Sequence, residues 1–154
     1  MVRLFNTVGP RQSARYGMVL PRFVEQALAG KPLTVYGDGT QRRCFGFVGD
    51  VVWALSKLVE NSAAYGKIFN VGSQEEVSMT ELAERVRGRL GSSSPIVYIP
   101  YAEAYDADFE DTPQRVPDTT KLRDLIGFDA KTTLNDIIDR IADAYRSTQF
   151  RATA

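Results

Sequence analysis

The clearest succession of structural signals lies in residues 20–55, LPRFVEQALAGKPLTVYGDGTQRRCFGFVGDVVWAL. Apolar side chains recur at helical spacing over residues 17–29, and Gly30 follows where helices commonly end. LTVY at residues 33–36 is typical of a strand, and the GDGT after it is typical of a turn. A further extended segment leads to Asp50, which we expect to cap a second amphipathic helix. This stretch therefore predicts a mixed α/β fold.

The flanking sequence continues the alternation of strands and helices. VRLFN at residues 2–6 and KIFNVG at residues 67–72 are rich in strand formers. Ser78 and Glu81 have the spacing of a capping box, and they precede apolar residues on one helical face. This helix is expected to stop at Gly91.

The C-terminal part combines regular and irregular segments. IVYIP is typical of a strand, but residues 101–118 show no period and are too many for a simple connection. A helix is predicted from about Thr119 to Ile126, where Gly127 stops it. The last helix carries an apolar face of Leu134, Ile137, Ile138, Ile141 and Tyr145. We expect the acidic side chains of the irregular segment to be solvated rather than to bind a metal; they are Asp106, Asp108, Glu110 and Asp111.

Composition excludes several classes of function. The 154 residues are 44% hydrophobic, which suffices for one globular domain, and the net charge of zero offers no attraction to nucleic acid or membrane. No apolar run is long enough to span a bilayer, and the N-terminus does not resemble a signal peptide, so a cytoplasmic location is predicted. Histidine is absent, which removes the usual zinc ligand and general base. The single cysteine, Cys44, is expected to be a small buried residue.

Four segments occur in a recognisable order: RLFNTVGPRQ (3–12), the 20–55 stretch, KIFNVGS (67–73) and FEDTPQRVPDTTKLRDLIGF (109–128). Together they resemble the extended short-chain dehydrogenase/reductase family, specifically its nucleotide-sugar epimerases, dehydratases and decarboxylases. The resemblance covers nearly the whole chain. It implies a lobe that binds a nucleotide sugar, most like the UDP-sugar branch, within an enzyme that uses NAD.

Two arginines are the candidates for a diphosphate. A diphosphate is best bound by permanently charged donors that grip two oxygens at once, which is the chemistry of the arginine fork. The resemblance places Arg43, in GDGTQRRCF, on a phosphate or the ribose, and Arg115, in QRVPD, on the diphosphate from the other side. Taken singly, each is more typical of a surface charge or a carboxylate partner. The neighbouring Arg42 is expected to point to solvent.

Four further residues are candidates for the rest of the ligand. Tyr36 and Leu33 are expected to pack around the base, although Tyr36 is equally explained as a half-buried core tyrosine. The resemblance implies a substrate contact for Asn6, whose alternative role is to cap the turn before Gly9. Asn70, in FNVG, is a candidate of the same kind.

The motifs of the cofactor domain are missing from the sequence. Enzymes of the family oxidise the sugar by hydride transfer to NAD, which is held at a glycine-rich turn between a strand and a helix. No such turn occurs here, and none of the seven tyrosines has a lysine four residues on, the pair that supplies the family's base. We therefore expect no catalytic residue and no NAD binding by this chain alone.

These observations predict the C-terminal substrate-binding lobe of an extended short-chain dehydrogenase, lacking most of the N-terminal Rossmann domain. Residues 1–148 would form the lobe and 149–154 a tail, and 1–8 and 67–72 resemble strands of the missing Rossmann sheet. Uncovered strand edges predict self-association as a homodimer, with a separate Rossmann domain as another partner. The alternative hypothesis is a non-catalytic, self-associating binding or interaction protein derived from such an enzyme. The reaction type, the base and the sugar stay open.

Overall fold

The computed structural model describes residues 1–12, 18–104 and 112–152. Its helices are α1 (Val19–Leu28), α2 (Val48–Glu60), α3 (Met79–Arg89), α4 (Tyr101–Ala104), α5 (Thr120–Ile126) and α6 (Leu134–Ala152). Its strands are β1 (Val2–Leu4), β2 (Thr7–Val8), β3 (Leu33–Tyr36), β4 (Arg42–Cys44), β5 (Gly46–Phe47), β6 (Phe69–Val71), β7 (Glu76–Ser78), β8 (Ile96–Ile99) and β9 (Gln114–Arg115). The predicted mixed α/β fold is confirmed.

The described strands form three parallel pairs and one mixed sheet. The parallel pairs are β1 with β6, β2 with β5, and β3 with β8. In the mixed sheet β4 is central, antiparallel to β7 on one side and parallel to β9 on the other. This sheet joins segments that are far apart along the chain, and it carries both candidate arginines.

A large apolar core lies where α1, α3 and α6 pack against β3. Its fully buried side chains include Leu20, Phe23, Leu33, Leu82, Ile137, Ile138 and Ile141. Burying one such side chain contributes roughly 1.5–3 kcal/mol relative to leaving it in water. The helical faces predicted from the apolar period are therefore the faces that hold this part of the chain together.

A second apolar cluster joins α2, α5 and β6. Its members are Val51, Ala54, Leu58, Ala64, Phe69, Val71, Leu122 and Phe128. It holds β6, and through pairing also β1, against α2 and α5. None of the described helices combines the length and the apolar character needed to cross a bilayer.

Local signals in the sequence are mostly confirmed. The Ser78 hydroxyl accepts a hydrogen bond from the Glu81 amide at 3.1 Å, and the Glu81 carboxylate accepts one from the Ser78 amide at 2.8 Å, which completes the capping box. Gly127 ends α5 in the left-handed conformation, with φ 66°. The prediction that Asp50 caps α2 is wrong. The helix begins at Val48, and the Asp50 carboxylate instead accepts a hydrogen bond from the Thr132 amide at 3.2 Å.

Two short strands, one before α3 and one in the irregular C-terminal segment, are not revealed by the sequence. The strands β7 and β9 have three and two residues, too few to show a period, and both exist because they pair with β4. The acidic group expected to be solvated, residues 106–111, lies outside the described residues. The tail predicted at 149–154 is helical as far as Ala152, within α6.

Candidate functional site

The central strand β4 holds Arg43 in a nearly buried position. Its side chain is 9% exposed, and its Nη1 donates to the carbonyl of Arg42 at 2.7 Å and to that of Pro113 at 3.5 Å. Arg43 therefore places a guanidinium, with its several forked donors, in a poorly hydrated position.

Arg115 lies directly beside Arg43 in the same sheet. The two residues are register partners on the parallel strands β4 and β9, which are spaced about 4.8 Å apart. Residues that face each other in register project to the same side of a sheet. Arg115 is exposed where Arg43 is buried. The structure thus places both arginines side by side; their contacts with a diphosphate stay a prediction.

Arg42 forms ion pairs at the surface of the mixed sheet. Its Nε lies 3.3 Å from a Glu76 carboxylate oxygen, and its Nη1 lies 3.5 Å from one of Glu81. Successive residues of a strand face opposite sides, so Arg42 and Arg43 belong to different faces of the sheet. The Arg42 side chain is 40% exposed, so it reaches solvent as expected, and it also lies beside acidic side chains on β7 and α3.

Asn6 lies next to β4 in an unusual backbone conformation. Its φ is 38°, in the left-handed region that asparagine tolerates better than most residues. Its Nδ2 donates to the carbonyl of Cys44 at 2.8 Å, and its carbonyl accepts from the Gly46 amide at 3.2 Å. The side chain therefore ties the end of β1 to β4, one residue beyond Arg43. Its contact with a substrate stays a prediction.

Cys44 is fully buried, as predicted. Burial raises the pKa of its thiol to about 11, since the thiolate is poorly solvated there, and the charges of Glu76 and Glu75 raise it further. A thiol in this state is not a nucleophile near neutral pH. Cys44 is a packing residue of the site rather than a reactive one.

The two residues expected around a base have different environments. Leu33 is fully buried within the large core, so its side chain offers no surface to a ligand in this structure. Its inward position follows from the strand, because alternate residues of β3 face the core. The packing of Leu33 around a base stays a prediction. Tyr36, at the end of β3, is half-buried, and the Arg22 guanidinium carbon lies 4.3 Å from its ring centroid. One face of this ring is thus in contact with a cation.

The turn after β3 is held by residues that the sequence analysis did not single out. Gln41 Nε2 donates to the Tyr36 carbonyl at 3.0 Å and to the Tyr101 hydroxyl at 2.7 Å. Gly37 has φ 69°, and a Cβ there would overlap the Tyr101 ring. The sequence GDGT predicts the tight turn that contains Gly37. It does not predict the contact between Gln41 and Tyr101, because these residues are 60 positions apart in the chain.

Asn70 lies on β6, away from the mixed sheet. Its Nδ2 donates to the carbonyl of Asp118 at 3.1 Å, and the neighbouring Gln74 donates to that of Pro117 at 3.4 Å. These bonds hold the segment that follows β9 against β6. In this structure Asn70 thus supports the chain that leads from Arg115 to α5, and its role toward a ligand stays a prediction.

The described residues contain no group of three or more histidine, cysteine, aspartate or glutamate side chains arranged to hold a metal ion. Arg43 and Arg115 share the mixed sheet, Asn6 adjoins β4, and Tyr36 is the last residue of β3. That they form one binding site stays a prediction. Their donors are suited to an anion with an attached ring system.

Several known proteins are similar to this chain in sequence and in fold. A model of the NAD dependent epimerase/dehydratase family matches residues 1–72. UDP-N-acetyl-alpha-D-glucosaminuronate decarboxylase of Bacillus cytotoxicus is 43% identical over 129 residues, 83% of this chain and 40% of that protein. UDP-glucuronic acid decarboxylase 4 of Arabidopsis thaliana is 37% identical over 150 residues, 97% of this chain and 32% of that protein. A solved structure of Thermotoga maritima UDP-glucose 4-epimerase with UDP-glucose has a TM-score of 0.80 and 27% identity, over 96% of this chain and 46% of that chain.

The fold is accordingly that of a part of the short-chain dehydrogenase type of sugar-nucleotide enzymes. The chain belongs to the NAD-dependent epimerase/dehydratase family. It spans less than half the length of each of these relatives.

Proposed function

We propose that this chain binds a nucleotide sugar, with a UDP sugar as the ligand, as the substrate-binding portion of an NAD-dependent epimerase, dehydratase or decarboxylase. The observation that carries the proposal is the register pairing of Arg43 with Arg115. The two curated relatives named above are both decarboxylases of a UDP-linked sugar acid, which makes UDP-glucuronic acid the first ligand to test.

Electrostatics favours an anion at the paired arginines. Two guanidinium groups lie on neighbouring strands, and the buried position of Arg43 strengthens its interaction with any anion that reaches it. A diphosphate is doubly charged or more, and its oxygens match the forked donors of each side chain. Asn6 would orient the ligand beside β4, and Tyr36 would lie against the base.

We propose that oxidation of the nucleotide sugar requires NAD and catalytic residues that this sequence does not contain. The family depends on NAD. The 154 residues include neither the glycine-rich turn that holds its diphosphate nor the tyrosine and lysine pair. On this proposal the chain alone binds no NAD and has no turnover, and the whole reaction, oxidation to a 4-keto sugar followed by a change at the sugar, depends on a Rossmann domain.

Calorimetric titration tests the binding proposal. Titration with UDP-glucuronic acid, UDP and NAD, at one salt concentration, should show binding of the two uridine ligands only. Arg43→Ala and Arg115→Ala should each weaken this binding at least tenfold, the effect of losing a charged hydrogen bond of roughly 1.5–3 kcal/mol. Arg146→Ala, at an exposed arginine on α6, is the control. Equal affinities in the wild type and both site variants would reject the proposal.

A second candidate function, a non-catalytic and self-associating interaction protein, is favoured by an exposed apolar surface. Five of its members are at least half exposed: Met1, Leu4, Val52, Val59 and Tyr65. Among the described strands β1 pairs only with β6, so one of its edges is unpaired. Unpaired edges beside apolar surface promote association with a second copy or with another domain.

Analytical ultracentrifugation tests the second candidate function, because it measures whether the chain forms a homodimer. A homodimer is expected to dissociate when Val59, which is 73% exposed, is changed to lysine. Val97→Lys, at an exposed valine on β8, provides a matched change elsewhere on the surface. A monomeric wild type over a wide range of concentrations would exclude self-association and leave a separate Rossmann domain as the proposed partner.

A further inference from the structure

Gln41 connects two parts of the chain through a single amide group. Its Nε2 has two hydrogens, and the structure uses both, toward the carbonyl of Tyr36 at 3.0 Å and toward the hydroxyl of Tyr101 at 2.7 Å. Gln41 and Tyr101 are both half-buried, so these bonds are partly sheltered from competing water. The end of β3 is thereby attached to the first residue of α4.

The turn at residues 37–40, between Tyr36 and Gln41, is packed at both ends. The Gly37 amide donates to the carbonyl of Ile99 at 2.8 Å, and the absence of a Cβ allows this glycine to lie against the Tyr101 ring. At the other end the Thr80 amide donates to the carbonyl of Gly39 at 3.1 Å. The turn therefore packs against Tyr101 at the end that follows Tyr36.

The same short stretch also contacts the strand that carries Arg115. Immediately after Gln41, the Arg42 amide donates to the carbonyl of Pro113 at 2.8 Å, and Pro113 directly precedes β9. Residues 41–43 therefore contact both the Tyr101 end and the Pro113 end of the segment that leads to Arg115. Gln41 thus lies between the end of β3, which carries Tyr36, and the strand that carries Arg43.

We propose that Gln41 and Tyr101 are positioning residues for the nucleoside end of the site, acting through Tyr36. The inference rests on the proposed function, since it assigns the Tyr36 turn to the nucleoside and the paired arginines to the diphosphate. Loss of the Tyr101 hydroxyl then weakens ligands that contain a nucleoside and leaves the affinity for inorganic pyrophosphate unchanged. A defect of general stability would weaken both ligands together.

The experiment compares Tyr101→Phe with the wild type by calorimetry, with UDP and pyrophosphate as probes. We expect about fivefold weaker binding of UDP, the effect of losing the hydrogen bond to Gln41, and the same affinity for pyrophosphate. Amide hydrogen exchange of Gly37, whose bond to Ile99 reports on the turn, should be faster in the ligand-free variant. Tyr65→Phe is the control, because Tyr65 is exposed and its hydroxyl donates to the Val59 carbonyl at 3.3 Å.

Gln41→Met provides a second variant that removes the amide and retains the length of the side chain. If the two residues act together, the double variant should lose no more UDP affinity than Gln41→Met alone, since Gln41 also donates to the Tyr36 carbonyl. Unchanged exchange at Gly37 in Tyr101→Phe would overturn the inference whether or not UDP binds. Equal weakening of UDP and pyrophosphate would also overturn it. A wild type that binds pyrophosphate but not UDP would reject the nucleoside assignment, and one that binds neither would reject the proposed function itself.

Discussion

Arg43 and Arg115 are register partners on the neighbouring parallel strands β4 and β9. The central strand buries Arg43, whereas the edge strand leaves Arg115 exposed. The two arginines therefore differ in hydration although they share one side of the sheet. An anion bound between them would interact with a fixed, poorly hydrated charge on one strand and an adjustable charge on the other.

A lysine at position 43 should bind UDP less tightly than Arg43 does, although it carries the same charge. Arg43→Lys keeps the positive charge but loses the planar pair of donors, so we expect about tenfold weaker binding of UDP, measured by calorimetry. Arg42→Lys is a control on the same strand, because Arg42 pairs with Glu76 and Glu81 instead. Full affinity in Arg43→Lys would show that Arg43 contributes only its charge.

The turn after β3 should tolerate no side chain at Gly37. Alanine there must adopt φ near 69° and also overlaps the Tyr101 ring, whereas alanine at Gly127 meets nothing within 4 Å at a similar φ of 66°. We expect Gly127→Ala to lower the free energy of unfolding by about 1 kcal/mol and Gly37→Ala to lower it by more. Urea denaturation measures both, and similar losses would contradict close packing at Tyr101.

The capping box should make stability depend on pH in the acid range. The backbone hydrogen bond from Ser78 holds the pKa of the Glu81 carboxyl below its usual 4.5. A lowered folded-state pKa means that the stabilisation is complete well above pH 4.5 and is lost as the pH falls from there through the folded-state value.

Glu81→Gln keeps an acceptor for the Ser78 amide but cannot ionise, so its stability should fall less steeply with pH in this window. Urea denaturation at a series of pH values measures the slope. Glu84→Gln, at an exposed position on the same helix, is the control. Identical slopes for the wild type and Glu81→Gln would exclude a contribution from this carboxylate.

The Cys44 thiol should resist modification in the folded protein. It is fully buried and its pKa is raised to about 11, so little reactive thiolate exists at pH 8 and the reagent has no access. A colorimetric thiol reagent should react slowly with native protein and rapidly after denaturation, with glutathione as the reference for an accessible thiol. Fast reaction of the native protein would show that the sheet opens around β4.

The sequence predicted those parts of the fold that depend on neighbours in the chain. The helical faces, the strands β1, β3, β6 and β8, the capping box at Ser78 and the stop at Gly127 were all predicted because period and turn chemistry act over a few residues. The order of four motifs likewise identified the family. The short strands β7 and β9 were not predicted, because three and two residues do not display a period.

By itself, then, the sequence determined the mixed α/β class, the family and the residue types suited to a diphosphate. The tertiary structure alone decided that Arg43 and Arg115 lie in register, that Arg42 turns to two carboxylates, that Leu33 faces the core, and that Gln41 reaches Tyr101. The physical reason is that each of these contacts joins segments that only strand pairing and core packing bring together, and neither is encoded in the spacing of nearby residues.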